Sequence, residues 1–249
     1  MTESWEFYQC MMGEARASVF LDIGIKSEIP ISDKVNLTRV VVDLKNPRED
    51  GLSSEIDFNE QKAFEDELSD KLNEFNAIYV GRITVENKRY YYFYSSNFNL
   101  DEIINNYCQL HGFKYETQHR LDQKWDGYIE ELYPSDDDWQ WIKDLRVTDQ
   151  LKKHGDDLKI ERDIDHHIFF KSNDDGDLFL NAVSGIGLTV KERGHSEDQG
   201  YSIHLIQRGV PSFPEITFTT IKLNKLARKF NGEYDGWGCN VEKGLSASK

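Results

Sequence analysis

The sequence predicts an α+β protein built as two domains. Helical apolar stripes alternate along the chain with short runs rich in Val, Ile, Tyr and Phe, the two periodicities of a mixed fold. Charge is divided unevenly. Residues 1–157 hold 32 acids and 18 bases, whereas residues 158–249 hold 13 and 12, so the two parts carry −14 and −1 of the net −15. Between them lies one segment with helix-start and helix-stop signals at its two ends. With 249 residues, 38% of them hydrophobic, there is enough apolar material for two ordinary cores.

In the first part, Val40-Val41-Val42-Asp43-Leu44 reads as a buried strand and Asn46 to Gly51, with Pro47, Asp50 and Gly51, as a turn. A helix should follow, because Phe64, Leu68, Leu72 and Phe75 recur at helical spacing. Glu60, Glu65, Glu67, Asp70 and Glu74 would decorate its solvent side. Ile78 to Thr84 and Arg89 to Tyr94, joined through Glu86-Asn87-Lys88, look like a hairpin. A second helix carries Leu100, Ile103, Ile104 and Tyr107 and ends near Gly112. Two extended segments, Phe113 to Glu116 and Tyr128 to Leu132, should complete an antiparallel or mixed sheet.

The segment Pro134 to Lys153 reads as a connecting helix. Ser135 and Asp138 have capping-box spacing, acids crowd the first turn, lysines the last, and Gly155 follows as a C-terminal cap. The expected division is therefore a first domain over 1–133, a linker helix over 134–157 and a second domain over 158–249.

The second domain offers a strand from Ile164 to Phe170, a helix with Phe179, Ala182, Val183 and Ile186, then Gly187 to Val190 and Tyr201 to Gln207 as strands. A helix bearing Leu223, Leu226, Ala227 and Phe230 leads to a short last strand near Cys239-Asn240-Val241. The order βαββαβ is that of a ferredoxin-like sandwich, an antiparallel sheet with two helices on one face. Tyr94, Gly112 and Tyr128 correspond to Phe170, Gly187 and Tyr201 at a spacing of 73 to 76 residues, which suggests a repeated plan.

Several classes of function are disfavoured. An acidic chain of pI about 4.9 is poorly suited to phosphate backbones, so direct nucleic-acid binding is not expected. Cys10, Cys108 and Cys239 have no paired spacing, which argues against a disulfide framework or a cysteine zinc site. The opening residues Met1 to Glu6 carry no basic leader, and the apolar run Ala17 to Ile25 is interrupted by Asp22, far short of the roughly 20 residues of a membrane span. A cytoplasmic protein without cofactor is the expectation. Nucleophile-elbow, zinc-helix, phosphate-loop and dinucleotide fingerprints are missing from the sequence, so an enzyme is not expected.

The second part resembles the regulator of ribonuclease E activity B family. The residues that carry the likeness are Arg162 to Phe170, Gly187-Leu188-Thr189-Val190 and the closing Gly232-Glu233-Tyr234-Asp235-Gly236-Trp237, over roughly the last 90 residues. The first part, through Asn46 to Ser54 and Tyr79 to Thr84, is similar to the uncharacterised domain family six-nine-five. The resemblance implies a protein whose second domain binds ribonuclease E and alters RNA decay through protein contact.

Along Asp163 to Phe170, alternation puts Ile164, His166, Ile168 and Phe170 on one face and Asp163, Asp165, His167 and Phe169 on the other. Asp163, Asp165 and His167 could hold a metal only if another element supplied ligands, so a solvated sheet face is the expected reading and no metal site is assigned. His166 should be a hydrogen-bonded core-edge histidine, paired with Asp235. Tyr234-Asp235-Gly236-Trp237 reads as a turn that fixes the last strand, with a recognition loop as the alternative. The partner-binding candidates are Asp165, His167, Tyr234, Asp235 and Trp237. Tyr90, Tyr92 and Tyr94 would share a face, with sheet packing preferred over base stacking, and Lys124 to Tyr128 should be a turn. The expected function is a regulatory or interaction protein acting on ribonuclease E or another RNA-processing partner. A small-ligand protein or an enzyme with a cleft between its domains is the other reading.

Overall fold

The computed structural model describes residues 2, 4–97, 99–196 and 200–243. It divides into two units, Met1–Pro134 and Ser135–Lys249. Both are α+β and both sheets are antiparallel.

The first unit runs β1 (Trp5–Met12), β2 (Ala15–Asp22), β3 (Asn36–Asp43), α1 (Glu55–Glu74), β4 (Ile78–Val85), β5 (Lys88–Ser95), α2 (Asp101–Leu110) and β6 (Tyr115–Leu121). The sheet order is β1-β2-β4-β5-β3-β6. Val40, Val41 and Val42 are all buried because both faces of the sheet are covered. On one side Phe64, Leu68 and Leu72 of α1 and Ile104 of α2 meet Val40, Val42, Tyr91 and Phe93. On the other, Tyr94 stacks on Trp125 with ring centroids 3.8 Å apart, and its hydroxyl donates to Asp122 Oδ2 at 2.7 Å. Tyr92 likewise donates to Glu131 Oε2 at 2.7 Å. These rings are packing, with hydroxyls satisfied inside the unit.

Three expectations for this unit need correction, and one element was not foreseen. Tyr128 to Leu132 is not a strand but lies in a π-helical turn, Gly127–Leu132, that presses Tyr128 and Leu132 onto the sheet. Phe75 follows the end of α1 and is 47% exposed. Glu65 does not decorate the surface: it is buried, accepting hydrogen bonds from Tyr79 Oη at 2.8 Å and Arg82 Nε at 2.6 Å. The hairpin β1–β2 extends the sheet where the sequence showed only the apolar run from Ala17 to Ile25.

The second unit begins with α3 (Asp136–Lys153), followed by β7 (Arg162–Phe170), α4 (Asn173–Val183), β8 (Leu188–Ser196), β9 (Gly200–Gly209), α5 (Phe213–Lys229) and β10 (Gly232–Gly238). The capping box of Ser135 and Asp138 is formed, and Gly155 takes φ +92° beyond the last turn, as its position after the lysines required. The sheet order is β10-β7-β9-β8. Ile168, Phe170, Ile203 and Leu205 from the sheet pack with Phe179, Leu223 and Ala227 from α4 and α5. Ala182 faces solvent and Ile186 lies past α4, so the inward stripe of that helix is shorter than its sequence suggested.

The last strand is not at Cys239 to Val241 but at Gly232–Gly238. The residues expected to form an Asp-Gly turn are therefore paired to β7. The register shifts between Tyr234, opposite Ile168, and Gly236, opposite His167, which makes Asp235 the extra residue of a β-bulge. Gly236 holds φ +156° there, a conformation that favours glycine.

A repeat exists, but not at the spacing read from the sequence. The series β3-α1-β4-β5-α2-β6 and β7-α4-β8-β9-α5-β10 share both element order and neighbour order. They share a bulge as well. Tyr79 and Gly81 oppose Phe93 and Tyr92 with a shift between them, and Val190 and Glu192 oppose Leu205 and His204 in the same way. The spacing of 73 to 76 residues sets the third strand of one series, with Tyr94, against the first of the other, with Phe170.

Candidate functional site

The alternation of β7 survives intact: Ile164, His166, Ile168 and Phe170 are buried, while Asp163 and His167 are exposed and Asp165 is half-buried. On β10 the bulge interrupts the period of two, so Tyr234 and Trp237, three residues apart, both turn inward. Without the extra residue, one of those large side chains would face water.

Trp237 is held by α3. Its Nε1 donates to Asp144 Oδ1 at 2.9 Å. Gln140 Nε2 donates to the same oxygen at 2.8 Å, and Thr220 of α5 donates its hydroxyl to Asp144 Oδ2. One fully buried carboxylate thus ties a helix, a second helix and the edge strand together. Burial raises the Asp144 pKa, and its hydrogen bonds from Thr220, Gln140 and Trp237 oppose that rise. Around it Leu151, Leu158, Ile164 and Ile216 close a small apolar cluster with Trp237.

Beside this junction lies an open cleft of about 670 Å³. One wall is α3, with Lys143, Arg146 and Val147. The other is formed by Asp165 and His167 of β7 and by Asp235, Gly236 and Trp237 of β10. Four of the five candidate residues therefore come together here. The fifth, Tyr234, points into the core, where its hydroxyl meets His166 Nδ1 at 2.8 Å. Asp165 is bound by His204 Nε2 at 2.6 Å and Lys191 Nζ at 3.2 Å, which outweigh desolvation and keep its pKa low. His167 stacks on His204 at 4.4 Å. Asp163 turns to Arg208, 3.2 Å away, and does not join Asp165 and His167. Among the described residues no group of His, Cys, Asp or Glu is arranged to hold a metal ion.

His166 is a core histidine, but its partners are Tyr234 and Gln207, with Nε2 3.1 Å from Gln207 Oε1, and not the exposed Asp235. The pairing suits a neutral ring that accepts from Tyr234 and donates to Gln207. Burial pushes its pKa from 6.5 down to about 4. Between those values the unfolded chain binds a proton that the folded chain refuses, so stability falls as pH drops through this window, by up to about 3 kcal/mol. Asp144, with its raised pKa, works in the opposite sense at the acid end. The urea midpoint of the second unit's transition should fall between pH 7 and pH 5, and His166→Gln should be less stable at pH 7 yet lose most of that dependence. An equal slope in both proteins would assign the acid sensitivity elsewhere.

Sequence reasoning missed Asp144, Gln140, Lys143 and Arg146, all on the helix read as a connector. The one available signal was Trp237 itself, since a buried indole N–H requires an acceptor.

No helix among the described residues is long and apolar enough to cross a membrane. No curated protein matches the chain. Two family models do: the family of unknown function DUF695 over residues 3–133, and regulator of ribonuclease activity B over residues 141–239. The second match starts inside α3 and ends just past β10, so it takes in both walls of the cleft. With the first match covering more than half of its length, the chain belongs to the DUF695 family, and its second unit is similar to regulators of ribonuclease activity B.

Proposed function

We propose that this chain is a cytoplasmic, non-enzymatic regulator that works by protein contact, its second unit binding ribonuclease E or another RNA-processing partner and occluding or remodelling it. The observation that supports this reading best is the extent of the regulator match, which includes the α3 wall and the β10 wall of one cleft. Asp165, His167, Asp235 and the rim of Trp237 would contact the partner from the strands, and Lys143 and Arg146 from the helix. Tyr234 would act from behind, by setting the position of β10 through His166.

The first unit, with 25 acids against 14 bases in residues 1–134, would steer a basic partner at long range, an effect screened as salt rises. Excess full-length protein should slow RNA cleavage by ribonuclease E and be captured by it, more strongly at low salt. Asp235→Lys should weaken capture while leaving the unfolding midpoint nearly unchanged, because Asp235 is exposed. Equal cleavage with and without the protein, together with no capture at low salt, would reject the ribonuclease assignment.

A further inference from the structure

The two units repeat one plan, and one of the places where they differ is an edge of the sheet. Strands β4 and β8 occupy the same place in their series, carry the same bulge and present an arginine at the same register position: Arg82 opposite Tyr91, Arg193 opposite Ile203. Each arginine bridges to the first helix of its series. Arg82 Nε lies 2.6 Å from Glu65 on α1, and Arg193 Nη1 lies 3.2 Å from Asp177 on α4.

What covers these pairs differs. In the first unit β2 adds to the free side of β4, from Ala17 opposite Val85 to Leu21 opposite Gly81, reaching the bulge itself. Phe20 sits opposite Arg82 and its ring lies 4.8 Å from the guanidinium carbon. The Arg82–Glu65 pair is consequently only 10% and 9% exposed. In the second unit β8 has no further strand beside it among the described residues, and the Arg193–Asp177 pair is 46% and 58% exposed.

We propose that Glu192 to His195 receive an added antiparallel strand from a partner protein, an extended segment that places an aromatic side chain over Arg193 as Phe20 lies over Arg82. Edge strands offer unpaired N–H and C=O groups for this mode of binding. Charges and bulges commonly close such edges, yet β4 carries both an arginine and the same bulge and is paired on both sides, so these two features are compatible with an added strand. The surface is the opposite edge of the sheet from β10, so the proposal goes beyond the ribonuclease reading and does not depend on it.

The test uses the full chain and a synthetic peptide with the sequence of β2, residues 15–22, read by amide hydrogen exchange. Saturable slowing of exchange at residues 192–195, weakened about fivefold by Phe20→Ala in the peptide or by Arg193→Ala in the protein, supports the proposal. No slowing at millimolar peptide overturns it, and so does slowing that both substitutions leave unchanged. Protection that rises with protein concentration in the absence of peptide, together with a doubled mass, assigns the edge to a second copy and also overturns it. None of these results bears on capture or cleavage by ribonuclease E, which involve the opposite edge of the sheet.

Discussion

Asp144→Ala should destabilise the second unit by about 3 kcal/mol, and Asp144→Asn by less than half of that. The carboxylate serves three neutral donors from three elements, Gln140 of α3, Thr220 of α5 and Trp237 of β10. Truncation leaves Gln140 and Trp237 buried without that acceptor, at about 1–3 kcal/mol for each that water cannot reach, while the Thr220 hydroxyl keeps the Thr217 carbonyl at 3.3 Å. Part of the loss is offset, because the carboxylate no longer has to be desolvated, which is the cost that its raised pKa reports. Asparagine keeps an oxygen toward Trp237 and removes the charge. Trp237→Ala should cost about 3–5 kcal/mol, since a ring only 8% exposed leaves a cavity and takes one of three donors from Asp144, which keeps Gln140 and Thr220. The two residues share a hydrogen bond, so the double variant should cost clearly less than the sum of the singles. Additivity in urea unfolding would show that the bond does not couple α3 to β10.

What was legible in the sequence is what is encoded locally. The capping box at Ser135, the alternation of β7 and the β4–β5 hairpin each depend on residues within one element or turn, and each is where the pattern put it. Features that depend on distant partners were misread. Glu65 looks like one more acid on a helix surface until Arg82, on a strand 17 residues away, turns that side of α1 into a buried ion pair. Asp235-Gly236 reads as a turn because turns and bulges use the same backbone freedom of glycine, and only pairing to β7 decides between them. The repeat was hidden for a similar reason. Its helices differ in length, 20 residues in α1 against 11 in α4 and 10 in α2 against 17 in α5, so no fixed spacing connects the two series. Of the cleft, the strand wall could be read from Asp165, His167, Asp235 and Trp237, whereas the helix wall could not, since nothing in Lys143 to Val147 says what the helix faces.

A fragment beginning at Ser135 should fold, and one beginning at Leu158 should not, although the charge change favours the later cut; the regulator match, which starts at residue 141, agrees with the earlier one. Removing α3 takes away Leu151, 7% exposed and packed with Ile164, Ile216 and Trp237, which contributes about 1.5–3 kcal/mol by burial. It also removes Asp144 from Trp237 and Thr220, and opens the cluster around Ile164 and Ile216 to water. Against the roughly 5–15 kcal/mol that holds a domain together, losses of this order should be enough to unfold the remaining sheet and two helices. Residues 135–249 should therefore show a cooperative urea transition and dispersed amide resonances. Residues 158–249 should show neither, and should recover both on addition of a peptide spanning residues 135–157, because the missing contacts are confined to that helix and the turn after it. Cooperative unfolding of the shorter fragment at the midpoint of the longer one would mean that α3 is a connector after all, and that the cleft it helps to line is not part of the folded unit.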